Sequence, residues 1–392
     1  MRVENYILND IYKDWANLNP LTLSKPVSSL RIGIDTIKEK WEFLLKENVS
    51  IKTCVPHLQS FDSDFNNENI NIYVNSSVIP NKLLVEKIKV LQVGETLYKD
   101  GVQIASKIDF NQKSLEKDVH YSEEVTKINF PWDIFKLNDK VLKADFERIT
   151  ANRTSQKLSS TNIVIGDTKQ IFLEEGAIVE AAVLNTKNGP IYVGKNAEIM
   201  EGSVVRGGLA LCQGAALKLS TKIYGATTVG PHSKVGGEVN NSVIQGYSNK
   251  GHDGFLGNSV IGEWCNLGAD TNNSNLKNNY GNVRVYNYFK KDMVDSSLQF
   301  LGLIMGDHSK CGINTMFNTG TVVGVFANIF GGGFPSKFIP SFSWGGAEGF
   351  SSYKLEKAYE VAEKVMERRN INLTEQDKEI LKHIFEQREN EK

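Results

Sequence analysis

Glycine is nearly missing from the start of this 392-residue chain: Gly33, Gly94 and Gly101 precede residue 150, and the rest of the 33 fall between Gly166 and Gly349. That split excludes one uniform fold and marks an ordinary first part, a glycine-punctuated middle and a glycine-free tail. Cysteine is scarce as well. Cys54, Cys212, Cys265 and Cys311 are scattered, with no Cys-x-x-Cys pair and no adjacent histidine set. This excludes a disulfide framework and points to a reducing compartment. No apolar run approaches membrane length, and "MRVENYILND" lacks a basic stretch followed by an apolar one. A cytoplasmic protein with no membrane partner is expected. Neither sign of charge is in excess, with 45 Lys plus Arg against 46 Asp plus Glu. The balance speaks against a nucleic-acid partner, and a phosphate-bearing ligand would have to be met by local clusters.

Two or three domains are expected at this length. Residues 1–155 mix helical and strand signals. "SLRIGIDTIKEKWEFLLK" has spaced apolar residues and a charged opposite face, "INIYVNSSVIP" reads as a strand with a turn, and "LYKDGVQIAS" reads as a hairpin around Asp100-Gly101. An α/β domain follows. Residues 350–392 read as two short helices. The first carries Leu355, Ala358, Ala362 and Val365 on one stripe; the second has Thr374 as N-cap and buries Ile380, Leu381, Ile384 and Phe385.

The middle, residues 160–347, is an internal repeat. Val193, Ile199, Val205, Leu211, Leu217, Ile223, Val229 and Val235 recur every six residues without a miss. Leu173 and Val179 begin the series, Ile261 and Leu267 resume it, and Met305, Cys311, Phe317, Val323 and Ile329 complete it. A helix repeats at about 3.6 and a lone strand at about 2, so a period of six needs another geometry. Three flat faces per coil, each with one inward aliphatic, give a parallel β-helix, with Gly at tight corners. The count slips across "GYSNKGHDGFLG", where His252 appears among small and polar residues. His232 and His308 sit at regular repeat positions and are expected to face solvent. No spacing gathers three histidines, so no metal site is expected.

The repeat resembles that of the hexapeptide acyltransferases. The order of parts is similar to the bifunctional N-acetylglucosamine-1-phosphate uridylyltransferase/glucosamine-1-phosphate N-acetyltransferase family, in its variant sugar-nucleotidyltransferase-like branch of Bacteroidetes. The runs that carry the likeness are "LRIGIDTIKEKW", "PWDIF", "GPIYVGKNAEIMEGSVVRG", "GHDGFLGNSVIGEWCNLGADTNNSNLKNNYG" and "GDHSKCGINTMFNTGTVVGVFANIFG". The resemblance implies a left-handed parallel β-helix preceded by a reduced nucleotidyltransferase-like α/β domain and followed by a short helical tail. It also implies a homotrimer with sites at its seams.

In the family the reacting segment reads G-H-x-x-Y-x-G-D-x-x-I-G-x-x-x-N-I-G-A-G-T, followed by Asn-Tyr. "GHDGFLGNSVIGEWCNLGADT" keeps His252 and Asn266, and Asn275 falls at the later asparagine, while Phe255 and Leu276 replace two tyrosines. The implied reaction is acetyl transfer from acetyl-CoA to an amino-sugar phosphate such as glucosamine 1-phosphate. His252 is the implied base, and Asn266, Asn275 and Phe255 are substrate contacts. A phosphate needs cations, and Lys222, Lys250, Lys277 and Arg284 are the candidates. At 18 residues per coil, Lys222 and Asn240 would stack, with Arg206 out of register. Coenzyme A is implied to lie along later coils, near Ala327, Gly332 and Lys337.

The nucleotidyltransferase half resembles its family less closely. "NLNPLTLSKPVSSLRIG" keeps Pro20, Leu21, Thr22 and Pro26, but "DIYKDWAN" stands where a glycine-rich phosphate loop is expected. Thr22, Lys25 and Arg31 are the nucleotide-binding candidates, with Mg²⁺ needed only if that activity survives. Asp100 and Asp133 read as turn-formers. Two alternatives to acetyl transfer stay open at this point: sugar-1-phosphate nucleotidyl transfer from UTP or dTTP, and a non-catalytic sugar-nucleotide-binding scaffold.

Overall fold

The computed structural model describes residues 4–63, 69–112 and 115–391. They divide into two compact units, one from residues 1–18, 25–30 and 35–130, the other from residues 19–24, 31–34 and 131–392.

The first unit is α/β. Strands Ser50–Lys52, Glu4–Asn9 and Ile70–Asn75 run parallel, and the sheet continues through Val102–Asp109, Glu95–Lys99 and Lys117–His120. The hairpin at Asp100-Gly101 forms as expected, with φ of 48° and 76° at its two tip residues. Helix Ile37–Leu45 is closed by a capping box of Thr36 and Glu39, the reciprocal pairing that satisfies two helix-end amides. Trp41 on this helix is fully buried and donates its indole N–H to the Val78 carbonyl at 3.0 Å.

The second unit is a parallel β-helix. Its strands stack into three sheets of nine, ten and six strands, one along each face of the prism. On the first face Leu173, Val193, Leu211, Val229, Ile244, Ile261, Met305, Val323 and Ile339 stack in register. The six-residue series belongs to one continuous apolar core along the axis. An inward side chain with no route to solvent has to be apolar unless every polar atom finds a partner.

Helix Pro131–Thr150 lies against the outside of the first face. It begins with Pro131, whose missing N–H is no loss at a helix start, so Asp133 sits in the first turn of a helix rather than in a loop. Leu142 and Phe146 pack with Phe172, Tyr192 and Ala210. Buried Asn138 accepts from the Gly33 amide at 2.7 Å and from Thr228 at 3.2 Å, and donates to the Ala226 carbonyl at 3.0 Å. The two tail helices, Leu355–Glu367 and Glu375–Gln387, match expectation, including the Thr374 cap. Met366, rather than Val365, is the buried residue at the end of the first, and in the second Ile380, Leu381 and Ile384 are buried while Phe385 is only half-buried.

One corner carries an aromatic ladder that the repeat did not announce. His232, Tyr247, Trp264, His308, Phe326 and Phe342 all have positive φ, and their rings stack in turn with centroids 5.2, 4.3, 6.2, 4.9 and 5.5 Å apart. A left-handed backbone costs a bulky residue about 1–2 kcal/mol; ring stacking returns about 0.5–1.5 kcal/mol beyond area burial, and burial supplies the rest. His308 is 8% exposed, so it does not face solvent as expected: it sits within this stack.

Two adjacent residues test the inward/outward assignment. Ile223 is 1% exposed and Lys222 points outward. Ile223→Ala is expected to cost about 2–5 kcal/mol in urea unfolding, and Lys222→Ala to stay within about 0.5 kcal/mol.

Candidate active site

The repeat is broken differently from what its count suggests. The loop of His252 is not an insertion: Lys250 to Leu256 spans the usual six residues. The missing residues are in the preceding coil, where Val239 follows Val235 after four positions and Ile244 follows Val239 after five. The register records the same shortening, with Val235 opposite Lys250 and Ile223 opposite Val239. The corner at Gly236-Gly237 is therefore pinched, and the next corner sits down on it. A Cβ on Gly236 would lie 2.7 Å from the Gly251 carbonyl oxygen, and one on Gly237 would lie 2.8 Å from the Gly254 oxygen. The glycines are what permit that approach.

The pinch leaves an open groove of about 580 Å³ beside the loop. Gly236, Gly237 and Gly251 line it together with His252, Asp253, Asp270 and Lys218. His252 is exposed, and its ring makes no hydrogen bond to any described residue.

Lys250 is a correction. Expected on the surface as a phosphate ligand, it occupies the slot of an inward aliphatic, paired with Val235, and is 2% exposed. Its ammonium donates to the carbonyls of His252 at 2.7 Å, Gly236 at 3.1 Å and Asp253 at 3.2 Å. Three donors meet three acceptors, so no proton is left for a phosphate. Burial pushes the group down to about 8, against the opposing pull of Asp253, Asp270 and Cys311.

On the third face, Lys222, Glu238 and Phe255 stand in register on successive strands, as do Arg206, Tyr224, Asn240 and Gly257. Lys222 is therefore opposite Glu238 rather than Asn240, and Arg206 is in the Asn240 row. The assumed 18-residue coil fails here because of the shortened corner. Tyr224 donates to Glu238 at 2.6 Å. Phe255 and Asn275 converge over Gly257, where a Cβ would meet the ring at 2.5 Å and the amide nitrogen at 2.7 Å. Asn275 donates to Asn258 at 2.8 Å. Asn266 lies on the second face instead, in a row with Asn249 and Lys310. Asn273, which sequence reasoning missed, takes an inward position opposite Phe317 and brackets Gly257, accepting from its N–H at 2.9 Å and donating to its carbonyl at 3.1 Å. Its place six residues after Leu267 was the available signal.

A second cationic grouping stands in the later coils. Lys337, half-buried, donates to Thr319 at 3.5 Å, and is held below the usual lysine range first by burial and then by the charges of Lys277 and Arg284. Arg284 begins a hairpin of Arg284–Asn287 with Asp292–Asp295 and donates to the Met293 carbonyl at 2.6 Å. Gly332 is exposed with open space about it. Ala327 is 1% exposed within the axial core, so its side chain cannot touch coenzyme A; its N–H donates to the Ser309 hydroxyl at 2.9 Å and its carbonyl accepts from the Lys310 N–H at 2.8 Å.

The nucleotide candidates are committed to structure. Thr22 is fully buried and donates to Asn19 at 2.8 Å, and Lys25 is 6% exposed. Arg31 exchanges backbone hydrogen bonds with the Gln245 amide at 2.6 and 3.0 Å. At the carboxyl ends of the parallel strands, buried Asp10 accepts from Ser76 and from the Val27 amide. Burial pushes it up to about 6 despite both bonds. Asp14 pairs with Lys127 at 2.8 Å. Among the described residues no group of three His, Cys, Asp or Glu side chains is gathered for a metal. No described helix is long and apolar enough to cross a membrane.

Residues 6–154 match the family model for sugar nucleotidyl transferase. The bifunctional protein GlmU of Methanocaldococcus jannaschii is 28% identical over 241 residues, which is 62% of this chain and 51% of that protein. A bifunctional sugar-1-phosphate nucleotidylyltransferase/acetyltransferase of Sulfurisphaera tokodaii is 27% identical over 268 residues, 67% of this chain and 57% of that protein. The chain thus spans about half the length of the curated relatives it matches. The UDP-N-acetylglucosamine acyltransferase of Campylobacter jejuni aligns at 15% identity over 59% of this chain and 96% of its own, with a TM-score of 0.23, too slight a likeness to bear on function. The resemblance to the bifunctional uridylyltransferase/acetyltransferase family is borne out by the first three matches.

The Lys250 environment has a measurable pH signature. Its folded value of about 8 lies below the ordinary 10.5, so between the two the unfolded chain binds more protons and stability rises with pH. Below about pH 8 the penalty is fully present, roughly 3 kcal/mol. Urea unfolding from pH 7 to 10 is expected to show wild type gaining stability relative to Lys250→Met across that window.

Proposed function

We propose that this chain transfers an acetyl group from acetyl-CoA to the amine of an amino-sugar phosphate such as glucosamine 1-phosphate, with His252 as the base. The observation that carries the reading is an exposed imidazole at the rim of a groove, on a loop seated on Gly236-Gly237 and held from within. The Sulfurisphaera tokodaii relative is a nucleotidylyltransferase/acetyltransferase by name, which supports the acetyl-transfer part of the reading.

The chemistry asks little of the protein. A neutral amine attacks the thioester carbonyl carbon; the N–C bond forms, the C–S bond breaks, and coenzyme A leaves as its thiolate. His252 accepts the proton that the nitrogen loses and returns it to sulfur. A well-placed base of this kind contributes about 10²–10⁴-fold. Phe255 and Asn275 are the surfaces offered to the sugar, with Lys222 two strands along the same face. Asn266 would contact substrate from the adjoining face. A phenyl ring where the relatives' motif has tyrosine removes a hydroxyl, so this chain selects its acceptor by shape at that point. Lys277, Arg284 and Lys337 form a place for phosphate groups, charges that serve coenzyme A if it runs along the later coils past Gly332. We further propose a cytoplasmic homotrimer.

A second reading is sugar-1-phosphate nucleotidyl transfer by the N-terminal part of the chain, favoured by the family match over residues 6–154. The buried Thr22 and Lys25 and the absent glycine loop leave few donors for a triphosphate.

Acetyl-CoA incubated with a panel of amino-sugar phosphates is expected to release free thiol. His252→Ala should lower kcat by about 10²–10⁴-fold with no change in Tm; undiminished release would overturn the assignment. Lys337→Ala should raise the KM for acetyl-CoA about tenfold, the loss of one charge-assisted contact. Pyrophosphate release with UTP or dTTP and a sugar 1-phosphate would establish the second reading.

A further inference from the structure

On the second face of the prism the inward slots near the site read Leu217, Val235, Lys250, Leu267, Cys311 and Ile329. One lysine stands in an otherwise apolar column, 2% exposed. A leucine or methionine would fill the same space without bringing a charge out of water. Burial of an ammonium is unfavourable even when hydrogen-bonded, so the column gains no stability from it.

What the lysine does is visible in its partners. Two of its three acceptors are the carbonyls of His252 and Asp253, and the third is Gly236 in the coil beneath. The ammonium thus ties two successive corners together from inside the wall. On the outside, the loop rests on Gly236-Gly237 with almost no clearance. Its far end is held as well: Phe255 donates its N–H to Asn272 at 2.8 Å, and Gly257 is bracketed by Asn273. Without the ammonium, the His252 and Gly236 carbonyls would lose their donor and the Asp253 carbonyl would keep only the Asp270 N–H at 3.0 Å, so the loop would have to turn to satisfy the His252 carbonyl.

We infer that Lys250 is a positioning residue whose buried ammonium fixes loop Gly251–Gly254 and so sets where His252 stands at the groove. The inference rests on the reading of His252 as the base. Asp253 and Asp270 on the groove side and Cys311 on the axis are the titratable groups that face the ammonium.

The test is Lys250→Met in the full chain, with hydrogen–deuterium exchange of amides 251–257, Tm and acetyl-transfer kinetics measured together. Exchange in that segment is expected to rise about tenfold or more, with Tm unchanged or higher. kcat should fall about tenfold or more while the KM for acetyl-CoA holds, because misplacement of a base acts on the chemical step. Lys250→Gln, which keeps donors at the slot, is expected to restore part of both. Unchanged exchange and kcat would overturn the inference. So would a fall in Tm with exchange rising evenly along the whole prism, the mark of a residue that only fills space. If wild type transfers acetyl to no acceptor, the base assignment fails, and loop exchange in Lys250→Met alone decides whether the anchor exists.

Discussion

A prism three strands around leaves room on its axis for one inward side chain per face per coil, and no route from there to water. Every other feature follows from that restriction. It forces an aliphatic into each slot and sets the six-residue period. Any polar residue that takes a slot must bring enough partners to meet all its donors and acceptors. Lys250 and Asn273 are two that do so, and both lie within the stretch that shapes the groove. A rigid wall is thereby turned into a mount. The same hydrogen bonds that make a buried ammonium tolerable also hold the loop that carries His252.

The fold was legible because its constraint is periodic. Eight aliphatics in register name the geometry before any tertiary contact is considered, and the structure puts each of them on the axis. The site was legible only as a place. Counting located the disturbance at "GYSNKGHDGFLG", yet the missing residues are at two corners of the preceding coil, around Gly236-Gly237 and Asn240. A count from one end registers a deletion at the point where the pattern is next noticed, not where the chain was shortened. Lys250 was misjudged because a lysine is so rarely inside, although its spacing of six from Ile244 already put it there. Ala327 fell to a related oversight: it lies four residues after Val323, in the small-residue slot beside the axial aliphatics, and is buried there.

The aromatic corner was hidden for another reason. Nothing in the local sequence of His232, Tyr247, Trp264, His308, Phe326 and Phe342 distinguishes them until the coils are stacked, because each meets its partner a whole coil away. The segment "NLNPLTLSKPVSSLRIG" kept enough of a phosphate-loop pattern to suggest nucleotide contacts. With "DIYKDWAN" in place of a glycine-rich loop, the amides ahead of it are not laid open to a phosphate, and Thr22 and Lys25 are inside. Residues of the right type remain where the backbone no longer presents them.

The central claim is that the groove beside His252 receives the acceptor amine. Its most direct test is a crystal structure of the chain with coenzyme A and an amino-sugar phosphate bound. The account places the acceptor nitrogen within about 2.6–3.2 Å of an imidazole nitrogen of His252, directly or through one water. An acceptor bound away from that loop, for example at the carboxyl ends of strands Glu4–Asn9 and Ile70–Asn75 in the first unit, would contradict it.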